Sequence, residues 1–286
     1  MSHGGVSERI GFLRRRIAAI EARDGAASAL PAGRLADLSA DLSAMGGGGA
    51  SLDALLSAGH GNLSEALPAR APDAPAAAAF ALAMALRARA ARGGGALVFI
   101  LEDLGAREFG LPYGRGLAQA GLDLSGFALI RTRRPRDTLW AMEEALKSPA
   151  CAAVVAETFL TPKLYDLSAS RRLLLAARRG GALGLLAPLA PAQGARFSSA
   201  AGLRVEVAAA PPPVLPARPP LSPAAPFSWR LRLIKARAGP WGAIDPAQWR
   251  DIVYDPERAA FHHAFPERFP SPAFDRPAAA PARRRA

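Results

Sequence analysis

Three carboxylates stand where phosphoryl chemistry would need them. Glu102 and Asp103 follow the apolar run Ala96–Leu101, and Glu157 follows the apolar run Cys151–Ala156. Each run reads as a buried strand, and open α/β sheets place their sites at the C-terminal ends of strands. An acid there could serve as a base or hold magnesium, provided a phosphate is cradled beside it. A cradle needs glycine amides ringing the phosphate and a lysine reaching its far end. It should lie just before the helix expected from Ala76, where the chain reads Leu67-Pro68-Ala69-Arg70-Ala71-Pro72-Asp73-Ala74-Pro75. That segment contains no glycine, and its prolines have no amide to donate. None of Lys147, Lys163 and Lys235 follows a glycine, and Gly46–Gly49 lacks the Lys-Ser or Lys-Thr that would make it a phosphate loop. Ordinary P-loop hydrolysis is therefore not expected, and Glu102, Asp103 and Glu157 read as solvated strand-end residues.

Other chemistries find less support. Cys151 is the only cysteine and lies in an apolar run, which excludes a disulfide framework and points to a reducing compartment. His3, His60, His262 and His263 show no ligand spacing, and no serine sits in a nucleophile elbow, so neither metal nor cofactor is expected. The densest charge cluster of the predicted core is the turn Arg131, Arg133, Arg134, Arg136, again at a strand's C-terminal end. It is the candidate contact for DNA phosphates or an acidic partner. The net charge of +12 favours a polyanion, although arginine, alanine, glycine and proline are all abundant together, a bias that composition alone can produce. No signal-peptide or membrane-spanning pattern is present, and a cytoplasmic protein is expected.

The elements that would position these residues fall into four segments. In residues 1–24, Val6, Ile10, Leu13, Ile17 and Ile20 recur at helical spacing, and Ile10, Leu13 and Ile17 are candidate docking residues for a partner. Residues 25–75 read as a weakly structured connector with short helices. Residues 76–238 read as the α/β core. Its first unit is an alanine-rich helix carrying Phe80, Leu82, Met84 and Leu86, with arginines and glycine at its end. Strands over Ala96–Leu101, Phe127–Arg131, Cys151–Ala156 and Ala182–Ala187 alternate with helices, which predicts a mainly parallel sheet covered on both faces. Leu203–Val207 and Trp229–Leu233 alternate apolar with polar, as strands with one solvated face do. Residues 239–286 read as an irregular, largely disordered tail in which Phe265 and Phe269 are candidate docking anchors.

Several strings in this core resemble the ImuA family, RecA-like proteins of bacterial damage-induced mutagenesis. They are Leu111-Pro-Tyr-Gly-Arg-Gly-Leu-Ala-Gln-Ala-Gly-Leu-Asp123, Leu129-Ile-Arg-Thr-Arg-Arg-Pro-Arg-Asp-Thr-Leu-Trp-Ala-Met-Glu-Glu-Ala-Leu146, Asp166-Leu-Ser-Ala-Ser-Arg-Arg-Leu173 and Trp229-Arg-Leu-Arg-Leu233. The resemblance implies a RecA-like sheet with a degenerate P-loop, in which Glu102, Asp103 and Glu157 are vestigial nucleotide-site carboxylates. It also implies a non-catalytic accessory role in translesion synthesis during the SOS response, beside an ImuB-like Y-family polymerase homologue and an error-prone replicative-type DNA polymerase. RecA and DNA are further candidate partners. The alternatives in the same frame are a RecA-type DNA-stimulated ATPase and an SOS cell-division inhibitor.

Overall fold

Alanine dominates the helix that anchors the fold, and its small side chains let that helix lie close against the sheet. In the computed structural model, helix α1 spans Ala74–Arg92, with Ala77, Ala81 and Ala85 fully buried beside Phe80, Met84 and Leu86. Gly93 ends it in the left-handed conformation (φ 78°), which glycine adopts without a Cβ penalty. Arg92 donates to the carbonyls of Cys151 (2.6 Å) and Pro149 (2.7 Å), and Arg89 to that of Gly95 (2.9 Å). The basic end of α1 thus ties the helix to the starts of two strands. The structure describes residues 61–119, 122–191, 198–210, 227–236, 248–256 and 258–263, all within one compact unit. The expected helix over residues 1–24 and the candidate anchors Phe265 and Phe269 lie outside the described residues.

The strands are β1 (Leu63–Pro68), β2 (Ala96–Glu102), β3 (Phe127–Thr132), β4 (Cys151–Thr158), β5 (Leu183–Pro188), β6 (Leu203–Ala209), β7 (Phe227–Ala236), β8 (Trp249–Asp255) and β9 (Ala260–His263). They form one sheet in the order β3-β2-β4-β5-β1-β6-β7-β8-β9. Pairings from β3 through β6 are parallel, and β6 through β9 are joined antiparallel. Besides α1, the helices are α2 (Asp103–Phe109), α3 (Gly114–Gln119), α4 (Pro135–Leu146) and α5 (Leu167–Gly180). The chain is therefore an α/β protein with a mostly parallel sheet flanked by helices on both faces. Helix α1 covers one face over Phe99, Val155, Leu185 and Val205, and α4 and α5 cover the other over Val98, Ile100, Val154 and Leu186.

Two expected boundaries need correction. The central strand β1 lies inside the segment read as a connector, so the core begins at Leu63 rather than Ala76. Ser64 and Glu65 interrupt its apolar run, which hides a strand that is buried along its whole length. Likewise β8 and β9 lie in the segment read as a disordered tail. Phe261 on β9 is 1% exposed and packs on Phe80 of α1 and Tyr254 of β8, with ring centroids 5.6 and 5.1 Å apart.

Helices α4 and α5 meet at their C-terminal ends. A Cβ built on Gly180 would lie 2.1 Å from the carbonyl oxygen of Leu146, a backbone atom that cannot swing aside. Gly180→Ala should destabilise the domain by about 2–3 kcal/mol, the upper range for overpacking, as read by urea denaturation. A loss under about 0.5 kcal/mol would show that the two helices separate freely.

Candidate functional site

The turn between β1 and α1 occupies the place where a phosphate loop would sit, and several of its polar groups are already used. The amide of Ala69 donates to Val207 O (2.8 Å) and that of Asp73 to Arg70 O (2.9 Å). The amide of Ala74 donates to Ala71 O, and Pro68, Pro72 and Pro75 have none to offer. The Asp73 carboxylate lies here, accepting from Arg70 Nε (3.0 Å) and from the amide of Ala209 on β6 (3.1 Å). Burial works against its charge, but the Arg70 guanidinium and the Ala209 amide outweigh this and hold the carboxyl below its usual range. An anion already belonging to the chain thus sits in the turn, and a phosphate brought beside it would meet repulsion.

The three strand-end carboxylates are not one cluster. Glu102 and Glu157 are both buried, 4% and 6% exposed, so neither is the solvated residue expected from sequence. They also point to opposite faces of the sheet. Glu102 shares its face with Val98 and Ile100, under α4 and α5, and accepts from Thr158 Oγ1 (2.6 Å) and the amide of Phe159 (2.9 Å). Those bonds clip the end of β2 to the chain leaving β4. Glu157 shares its face with Ala153 and Val155, under α1, and its register neighbours are the apolar Leu101 and Ala187. No hydrogen bond reaches its carboxyl from any described residue, and burial pushes its pKa up to about 7. A buried, strongly perturbed acid at a strand end is a functional-site signal. Asp103 opens α2 and pairs with Arg131 (2.7 Å), partly exposed.

That ion pair divides the basic turn. Arg131 is committed to Asp103, whereas Arg133, Arg134 and Arg136 are exposed and make no ion pair or side-chain hydrogen bond with a described residue. The turn itself is pinned: Pro135 starts α4, and Thr132 and Thr138 share a buried hydrogen bond of 2.5 Å. It leads into a cleft of about 410 Å³ between α4 and the segment that enters α5, lined by Arg136, Leu139, Trp140, Lys163, Leu164 and Arg172 among others. Sequence reasoning singled out only Arg136 of these. Lys163 and Arg172 are remote from it in the chain, and Trp140 reads as one more apolar position on an amphipathic helix. The place of Trp140 out of register with Leu139, Met142 and Leu146 is the one available hint.

No protein-family model matches this chain, and no curated protein matches it. Fold and site together define an α/β protein whose strand-end acids are buried or paired and whose entry to α4 carries Arg133, Arg134 and Arg136 with no charged partner among the described residues. No helix among the described residues is long and apolar enough to cross a membrane.

Proposed function

We propose that this chain is a RecA-like accessory protein of the ImuA type that acts by binding rather than by catalysis, in translesion synthesis during the SOS response. Its partners on this reading are an ImuB-like Y-family polymerase homologue and an error-prone replicative-type polymerase, with RecA and DNA as further contacts. The observation that carries the non-catalytic part is the β1–α1 turn, where prolines and the Asp73 carboxylate stand in place of amides turned toward a phosphate. The strings Leu129–Leu146 and Asp166–Leu173 support the family part, and they build the helices that wall the basic cleft.

The test is a pull-down of the full chain from DNA-damaged cells, with and without residues 264–286, together with a magnesium–ATP titration. A polymerase component should be recovered by the full chain, and the titration should show no tight nucleotide binding. Tight binding would favour the ATPase reading, and recovery of no polymerase component by either form would defeat the proposed role. Truncation at 264 keeps β8 and β9, so loss of partner would not simply report a damaged sheet.

A further inference from the structure

The cleft between α4 and α5 combines two features. The first is a large aromatic ring left open: Trp140 is 63% exposed, and its ring stacks on no other ring and under no cation among the described residues. The second is a set of uncommitted cations. Arg136 lies one helical turn before Trp140, Lys163 faces the cleft from the β4–α5 connection, and neither has a charged partner among the described residues. The one acid lining the cleft, Glu143, is already offset by Arg172 and by Lys147 at 3.4 Å. Exposed Arg134 and Arg133 precede Arg136 in the turn that enters α4.

We infer that this cleft binds single-stranded nucleic acid, with one base stacked on Trp140 and the flanking phosphates held by Arg136 and Lys163. A flat apolar ring bordered by long cationic side chains suits a strand whose bases are unpaired, because stacking on an indole requires an exposed base face. In a duplex that face is covered, so the duplex can use only the cations. An acidic peptide could also use them, but it would match the open indole only where it carried an aromatic residue, whereas every nucleotide of a single strand offers a base face beside its phosphate. Half-buried Leu139 and Leu164 line the cleft beside the ring and supply an apolar floor for the base edge.

The inference deepens the reading of the chain as a binding protein in DNA metabolism and rests on that reading. Its test uses the full chain, a fluorescein-labelled oligothymidylate, a duplex of equal length and polyglutamate as competitor. The single strand should bind more tightly than the duplex and outcompete polyglutamate. Trp140→Ala should weaken single-strand binding roughly tenfold or more, the effect of removing one stacking platform, whereas Trp140→Phe should retain most of it. Arg136→Ala with Lys163→Ala should flatten the salt dependence by about 0.7 in log–log slope for each phosphate no longer neutralised. All three positions are on the surface, and circular dichroism checks that each variant is folded. Absence of single-strand binding, or equal binding by wild type and Trp140→Ala, overturns the inference. So does polyglutamate competing as well as the oligonucleotide. Recovery of polymerase in the pull-down alongside any of these results would sink the cleft assignment alone, and failure of both experiments would sink the wider reading.

Discussion

Glu65→Gln should cost about 3–5 kcal/mol of folding stability. Glu65 lies in the middle of the central strand, 1% exposed. Its Oε2 accepts from Arg204 Nε at 2.6 Å, and its Oε1 accepts from Tyr165 Oη at 2.6 Å and from Ser199 Oγ. One carboxylate thus joins β1 to β6, to the β4–α5 connection and to the segment before β6. Ser199 extends the network, its Oγ accepting from the amide of Ala201 (3.0 Å) and its carbonyl from Lys235 Nζ (2.6 Å). Glutamine has nearly the same shape and could still accept from Tyr165 and Ser199. What it cannot do is neutralise Arg204, whose side chain is only 10% exposed, and losing the carboxylate charge that faces a buried guanidinium is what makes the single change severe. Removing the cation as well, in Glu65→Gln with Arg204→Met, should recover most of the loss, since a buried pair is often replaceable by apolar groups of similar volume. Urea denaturation of the two single variants and the double variant measures the coupling. A single-variant loss under about 1 kcal/mol, or a double variant as unstable as the sum of the singles, would show that the charge pair is not what holds these segments together.

The same pair explains where the sequence misleads. Ser64 and Glu65 break the apolar run Leu63–Pro68, and Arg204 sits at a polar position of the alternating run Leu203–Val207. Each alone reads as a solvated residue, because partnership between positions 139 residues apart leaves no local trace. The central strand is therefore hidden in the sequence, and Arg204 faces the core rather than water. In contrast, the helices α1, α4 and α5 and the strands β2, β4 and β5 are legible, since continuous apolar runs, glycine stops and end charges are local signals. The late strand β9 escapes because the burial of Phe261 comes from packing with distant Phe80 and Trp229, and β8 escapes because its alternation is only the pair Ile252 and Tyr254. The candidate site is legible in its acids and in the basic turn, but not in their geometry. Sequence puts Glu102 and Glu157 at strand ends without showing that neighbouring strands aim them at opposite faces, and it cannot show that Asp103 claims Arg131.

Glu157 yields the second large prediction, and its sign is opposite to that of Glu65. Its carboxyl lies among apolar neighbours with no hydrogen bond from a described residue, and burial pushes its pKa from 4.5 up to about 7. Below pH 4.5 the group is neutral in folded and unfolded chains alike. Between about 4.5 and 7 the folded state keeps a proton that the unfolded state has released, so stability falls as the pH rises. Above pH 7 the folded protein carries a buried charge, and the accumulated loss levels off at about 3 kcal/mol. Glu157→Gln imitates the protonated acid at every pH. Its stability should match wild type near pH 4.5 and exceed it at pH 8 by up to about 3 kcal/mol, and the difference between the two curves cancels every other titrating group. A difference that stays flat from pH 4 to 8, or a glutamine variant less stable at pH 8, would mean that the carboxylate has a partner that stabilises its charge. A gain at pH 8 would mean that the fold bears Glu157 at a net cost at neutral pH. The reason for an acid at that strand end would then lie outside stability, in what the C-terminal edge of the sheet does or once did.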